Sequence, residues 1–400
     1  MATARAALAL LAAAVLASGI VAALRHPAYV DPSRWGPTWR TTTTALFALD
    51  ARPNVLLTDE EIYLGTLQRV RRGADFYAAQ HAMFDENPGR WNTRSPLAYR
   101  LPALTWIWAA LGNGGVIGVA FGVLAATAMV AAWLAACALV RPLPALLAPL
   151  ALGPVFALEN LHPPRILYAE MWAAPFVVIA GAMCALGLVG ARASGAESRG
   201  AWLPGVVGAG CAFAAMAIRE LAALPAAWML FSLVIDRRAR ARRAWMPWLV
   251  AVVAWACVYA WHASRVAAVS LADPFTADAV ALSAYVHPGV AFLAACVRWA
   301  GTTAVVATVI ALLAALAIAG LARLRDSGIA WLATGSTLGV VLLLVVAGTP
   351  GRFPDGSYTG YWGFLFVPLV VAWCPLGLRL LPGQAVAAPR ERAHSRDRGR

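Results

Sequence analysis

The stretch ALALLAAAVLASGIVAAL, residues 7–24, runs for eighteen residues without a charge. A helix rises about 1.5 Å per residue and needs about 20 apolar residues to cross a bilayer core. With Arg5 just before it, the run reads in two ways. As a signal peptide, Arg5 would be the n-region, and Ala17 and Ser18 would supply small residues for cleavage. As an uncleaved span over 6–24, it would be the first of a series. The rest of the chain favours the series. Apolar runs recur at 115–140, 143–158, 166–190, 201–218, 221–235, 246–263, 302–322, 329–347 and 361–381. Hydrophobic residues make up 61% of the chain and charged residues 13%, against about 45–50% and 25% in a soluble domain. Helices satisfy their own backbone hydrogen bonds in lipid. The expectation is an all-α, polytopic transmembrane helical bundle of about ten spans, within a range of roughly 9–12.

Charge placement orients that bundle. The formal net charge is +13, and every one of the 32 basic residues is Arg. With the N-terminus inside, the short inner loops carry Arg141, Arg192, Arg199, the cluster RRARARR (237–243), Arg323 and Arg325. The short outer segments carry only Arg165, Arg219, Arg265, Arg298 and Arg352. This satisfies the positive-inside rule and puts both termini in the cytoplasm. The arginines therefore read as topology determinants and not as a nucleic-acid footprint. Residues 25–114 form a long outer segment holding ten arginines and eight of the 19 acids. The domain reading is one membrane-embedded unit over 1–382, with 383–400 a basic, disordered cytoplasmic tail. The six cysteines lie inside apolar runs, so disulfides and a thiolate metal site are not expected.

Within the outer segment, LLTDEEIYLGTLQRV (56–70) concentrates acid in an acid-poor chain. Thr58 and Glu61 have the spacing of a capping box, and a helix comes next with Asp59, Tyr63, Leu67 and Val70 on one face. Read locally, DEE only starts a surface helix and suits its dipole. In context, GADFY (73–77), WNTRSPLAYRLP (91–102) and LPALTWIWAALG (101–112) come after it. The last is apolar and Trp-bearing but too short to span, so it reads as an interfacial or re-entrant helix.

This order resembles the GT-C superfamily of integral-membrane glycosyltransferases, in the branch that uses polyprenyl-phosphate sugars. The matching pieces are the first span, Asp59-Glu60 with Tyr63 as DExxY, Gly73 and Tyr77 in GADFY, and Arg100-Leu101-Pro102 opening an interfacial helix. AIRELAALP (217–225) and GYWGFLFVPL (360–369) look like stretches of actinobacterial-type members. The chain has no sizeable soluble C-terminal domain of the kind that holds an acceptor. The resemblance implies an inverting transferase that moves a sugar from a polyprenyl-phosphate carrier to a cell-envelope glycan or protein acceptor. The reaction would lie on the outer face of a bacterial cytoplasmic membrane. Asp59 would be the general base, with Glu60 orienting it or holding a divalent cation. Tyr63, Tyr77, Arg100, Arg219, Glu220 and Tyr361 would bind substrate, with Arg219 facing the donor phosphate.

Each group also has a plainer reading. Arg219 and Glu220 interrupt an apolar stretch and can be an ion pair at a span boundary. HPPRILYAE (162–170) puts His162, Arg165 and Glu170 near an outer span end, where they read as loop residues close to water. His262 and His287 lack the spacing of a metal site. The aromatics of RFPDGSYTGYWG (352–363) can form an interfacial belt, and GNGGVIG (112–118) reads as a turn. A transporter or lipid flippase, which would need polar groups on paired broken helices, and a non-catalytic GT-C-like protein are the alternatives.

Overall fold

The computed structural model describes residues 2–25, 59–85, 93–112, 114–160, 168–193, 202–271, 289–301, 304–324, 327–347 and 360–381. Among them the chain is mostly helical, with no strand. We number the helices α1 (Ala2–Arg25), α2 (Asp59–Arg71), α3 (Phe76–Asp85), α4 (Ala103–Leu111), α5 (Gly114–Cys137), α6 (Leu147–Asn160), α7 (Ala169–Ala193) and α8 (Trp202–Ile218). Next come α9 (Ala223–Ile235), α10 (Arg237–Ala241), α11 (Met246–Val269), α12 (Val290–Gly301), α13 (Ala304–Gly320), α14 (Ser327–Thr334), α15 (Val340–Val346) and α16 (Gly363–Val371). A π-helical turn, Gly335–Gly339, joins α14 to α15.

Six helical stretches are long and apolar enough to cross a membrane: Val116–Cys137, Ala169–Ala191, Met246–Val269, Ala304–Arg323, Gly328–Val346 and Gly360–Leu380. Five shorter apolar stretches accompany them, Thr3–Ser18, Pro144–Ala157, Trp202–Ile218, Glu220–Ile235 and Val290–Ala300. Each of the ten expected runs therefore falls on a helical stretch from these two sets, six on the long ones and four on the shorter ones, with 6–24 on α1. The run at 143–158 is a 3₁₀ turn, Pro144–Leu146, before the fourteen-residue α6, which rises only about 21 Å. The helix α12 has no counterpart among the expected runs, because Arg298 and its short apolar run leave no span-length signal.

The packing is built on small residues. Gly205, Gly208, Ala209, Ala212 and Ala215 form the buried face of α8, at helical spacing that lets backbones approach closely. α8 lies along α7, which also packs on α5, and α1 lies against α5 and α6. A Cβ on Gly208 would stand 2.7 Å from the Trp248 ring and 2.9 Å from Met183. The chain reverses at Arg219. Trp255 of α11 donates its indole hydrogen to the Met216 carbonyl, whereas the Cys184 thiol meets the carbonyl of Met229, back along α7. At the far end of α9, Asp236 caps α10 by accepting from the amides of Arg238 and Ala239 and lies against Gly328, with Leu188 beside them. Gly320 packs on the backbone of Leu376 and Gly377.

The bundle thus has two ends. One gathers Asp236, the 237–243 cluster, Gly328, and the Gly320–Leu376 crossing. The other gathers α2 to α4, the start of α7, the Arg219 reversal, the end of α11, α12 and Gly360. The expected inner and outer segments separate onto these ends. α2 sits between two cores: Leu64 and Leu67 join the main one, and Ile62 joins a satellite with Phe76, Tyr77, Met83, Phe84, Tyr99 and Val266. Gly73 and Gly112 take φ of +92° and +79°, a left-handed conformation that favours glycine. They turn the chain out of α2 and out of α4. Residues 383–400 lie outside the described residues.

Candidate functional site

Five separate parts of the chain supply one polar cluster at the α2 end. α2 brings Tyr63, the segment before α4 brings Arg100, and the start of α7 brings Tyr168 and Glu170. The α8–α9 reversal brings Arg219 and Glu220, and the start of the last helical stretch brings Tyr361. Arg100 donates from Nε to the Tyr63 hydroxyl at 2.6 Å and from Nη2 to the Tyr361 hydroxyl at 3.4 Å. Its guanidinium carbon lies 5.4 Å from the Tyr63 ring centroid. Tyr168 sits among Tyr63, Trp299, Tyr361 and Phe364, at centroid distances of 6.4, 5.8, 5.2 and 5.8 Å.

Arg219 is 3% exposed and Glu170 0%, and Arg219 Nε lies 2.5 Å from Glu170 Oε1. Arg219 Nη1 also pairs with Glu220. The backbone explains the arrangement. Arg219 is extended, with φ −145° and ψ 117°, between α8 and a 3₁₀ turn at Glu220–Ala222. The break aims consecutive side chains together, toward the first turn of α7. The two charges meet without hydrogen-bond geometry: neither carboxylate oxygen of Glu170, nor Arg219 Nε, forms a hydrogen bond among the described residues.

The two arginines differ in kind. Arg219 is enclosed by carboxylates. Arg100 is partly exposed and has no carboxylate within ion-pair distance among the described residues; it donates instead to two tyrosine hydroxyls. Burial works against the charge on Arg100. Tyr63, Tyr361, Glu170 and Glu220 outweigh it, and the pKa of Arg100 moves up. Arg100 and Arg219 repel each other, and both feel Glu170 and Glu220. One enclosure holds all four.

Tyr77 belongs to a neighbouring arrangement. Its hydroxyl lies 3.0 Å from His262 Nδ1, and His262 Nε2 lies 3.0 Å from the Pro96 carbonyl. A carbonyl only accepts, so Nε2 carries the hydrogen and Nδ1 accepts from Tyr77. Burial raises the Tyr77 pKa, Arg265 opposing and Asp75 adding. Arg265 pairs with Asp75 at 3.2 Å above the Tyr77 ring. These contacts fasten Asp75, Tyr77 and Pro96 to α11, the last of them four residues ahead of Arg100.

The structure brings Tyr63, Arg100, Arg219, Glu220 and Tyr361 together and sets Tyr77 beside them. Asp59 and Glu60 open α2, with Asp59 one turn before Tyr63, and their side chains lie outside the described part of the molecule. So do Thr58, His162, Arg165, His287 and residues 352–359. Sequence reasoning placed Glu170 in a loop near water. It is instead wholly buried on Arg219; its place in the first turn of a span-length helix, opposite an arginine in an apolar run, was the available signal. Tyr168 and Trp299 were also missed. No family model, curated protein or solved structure matches the chain.

Proposed function

We propose that this protein is a membrane-embedded, GT-C-like inverting glycosyltransferase. It takes a sugar from a polyprenyl-phosphate carrier at the outer face of a bacterial cytoplasmic membrane, with both termini cytoplasmic, and passes it to an acceptor hydroxyl. The observation that carries the reading is Arg100. A guanidinium with no carboxylate partner among the described residues, steadied by two tyrosine hydroxyls and flanked by aromatic rings, suits a phosphate joined to a sugar and an isoprenoid. Guanidinium binds phosphate through its fork of donors, and aromatic faces suit both sugar rings and apolar chains. The phosphate role thus moves from Arg219 to Arg100, since Arg219 is already neutralised by two carboxylates.

The chemistry is built on these placements. Asp59 takes the proton from the acceptor hydroxyl. The hydroxyl oxygen bonds to the anomeric carbon as the bond from that carbon to the phosphate oxygen breaks. The phosphate leaves with the electron pair, and Arg100 meets the charge that develops on it. A single displacement inverts the anomeric centre. Among the described residues no three His, Cys, Asp or Glu side chains gather, and Glu170 and Glu220 are held by Arg219. A divalent cation on Glu60, one of the two roles open to that residue, finds no ligand cluster among them. The transporter alternative needs discontinuous helices, and at Arg219 the chain reverses instead of continuing.

The test uses the full chain in lipid nanodiscs with a panel of labelled polyprenyl-phosphate sugars, measuring binding and hydrolysis. Saturable binding of at least one donor, competed by the bare polyprenyl phosphate and lost in Arg100→Gln, is expected. Failure of every donor to bind, or wild-type affinity in a folded Arg100→Gln protein, overturns the reading.

A further inference from the structure

Tyr168 packs on Tyr63 and Tyr361, the two tyrosines to which Arg100 donates, and stands two residues before Glu170, yet among the described residues neither Glu170 nor Glu220 forms an ion pair with Arg100. Both are taken by Arg219: Glu170 through Nε at 2.5 Å, and Glu220 through Nη1. A buried carboxylate takes the nearest available cation, because an unpaired charge away from water is expensive. Without Arg219, the cation left in that enclosure among the described residues is Arg100.

We propose that Arg219 is a positioning residue that holds Glu170 and Glu220 off Arg100, keeping the Arg100 guanidinium open to an anionic group. The inference rests on the reading of Arg100 as the phosphate site. Among the described residues the charge balance is definite. Arg100, Arg219, Glu170 and Glu220 sum to zero as found. Loss of the Arg219 charge leaves two carboxylates facing one cation, and Arg100 is drawn to them. Loss of all three partners leaves Arg100 alone and positive. The sequence supplies the means: Arg219 and Glu220 are neighbours across an extended break, and Glu170 is locked in the first turn of α7, so one guanidinium can reach both. The five donors of Arg allow two carboxylates to be held at once; the point charge of Lys does this less well.

Two variants of the full chain in nanodiscs decide it, Arg219→Gln and the triple Arg219→Gln/Glu170→Gln/Glu220→Gln. The first readout needs no ligand: the rate at which phenylglyoxal modifies Arg100, followed by mass spectrometry of its peptide. Arg100 should react in the wild type, slow by about tenfold in Arg219→Gln as the carboxylates cover it, and recover in the triple variant. The second readout is binding of a labelled isoprenyl monophosphate. It should weaken by about tenfold or more in Arg219→Gln and return to wild-type strength or better in the triple variant. If Arg219→Gln does not fold, the triple variant, which buries no unpaired charge at these three positions, decides alone. Open and binding-competent Arg100 in that protein supports the proposal; loss of binding there makes Arg219 a direct ligand and overturns it. Unchanged Arg100 reactivity in a folded Arg219→Gln protein also overturns it. Correct reactivity changes with no isoprenyl phosphate bound by any form, wild type included, would sink the glycosyltransferase reading and leave the Arg219 role standing.

Discussion

Arg100 gives its Nε hydrogen to the hydroxyl of Tyr63 at 2.6 Å, across 37 positions of sequence. The contact joins the helix that begins at Asp59 to the segment that carries the proposed phosphate-binding cation. Tyr63→Phe keeps the ring and removes the oxygen. A hydrogen bond involving a charged group contributes about 1.5–3 kcal/mol. Part of that is recovered by water, so isoprenyl monophosphate affinity should fall by about five- to tenfold. Tyr361→Phe breaks a longer contact of 3.4 Å and should cost less than about threefold. Equal affinity in wild type and Tyr63→Phe would show that the tyrosine does not steady the guanidinium.

Glu170 should matter to stability. Glu170→Ala leaves Arg219 buried with Glu220 alone. Removing one partner of a buried ion pair costs about 3–5 kcal/mol, and the remaining carboxylate should hold the loss to the lower part of that range. Thermal unfolding in detergent measures it. Arg141, exposed at the opposite end, is the control: Arg141→Ala should stay within about 0.5 kcal/mol of wild type.

The helical class and most of the runs were legible because an apolar stretch of span length announces itself without tertiary information. Segregation of the arginines was legible for the same reason: RRARARR is a local feature, and it lies at the end opposite Arg100. The site was legible only as separate pieces. DExxY, Arg100, Arg219 and Tyr361 each stood out against apolar surroundings, but their grouping depends on how helices far apart in sequence pack. Of the two carboxylates that neutralise Arg219, its neighbour Glu220 was readable as a partner; Glu170 was not, because it lies 49 positions away behind two prolines at 163 and 164. Tyr168 and Trp299 sit in ordinary interfacial surroundings, where an aromatic residue carries no signal of its own. The short α12 was hidden by its length.

The π-helical turn lies beside a close contact that can be tested. The Trp228 indole donates to the Trp331 carbonyl at 2.7 Å, and a Cβ on Gly335 would overlap Trp228 Nε1. Both helices are committed there, so the ring cannot stay in place beside a larger residue. Gly335→Ala should displace Trp228 and destabilise the protein by about 1–3 kcal/mol, as overpacking does. Trp228→Ala in the same background should remove part of that penalty. Additive losses in the double variant would show that the ring and the glycine are not coupled.

His262 ties Tyr77 and Pro96 to α11 through two bonds. His262→Phe leaves the Tyr77 hydroxyl and the Pro96 carbonyl without that partner, at about 1–3 kcal/mol for each group that stays buried and unsatisfied. The Asp75–Arg265 pair beside it is largely exposed, so Asp75→Asn should cost about 0–1 kcal/mol. Hydrogen exchange of the 76–85 amides separates the two: faster exchange in His262→Phe and little change in Asp75→Asn is expected. The reverse order would make the surface pair the real fastening.

Asp59 is the residue on which the proposed chemical step turns. It opens α2, one helical turn before Tyr63, on the same face by helical spacing. Tyr63 in turn touches Arg100. In the proposed in-line displacement the acceptor oxygen enters opposite the departing phosphate, so the base must act close to the phosphate site without being bonded to it. Asp59→Asn keeps the shape and much of the hydrogen bonding but cannot take the proton. Sugar transfer should fall by about 10²–10⁴, while isoprenyl monophosphate binding should remain within about threefold of wild type, since Arg100 is untouched. Glu60→Gln, one residue on and about 100° around the helix, should cost less than Asp59→Asn in the same assay. Transfer that survives in Asp59→Asn but collapses in Glu60→Gln would give the base to Glu60. Near-normal transfer in both, with the fold intact, would reduce the acids at 59–61 to a favourable start for α2.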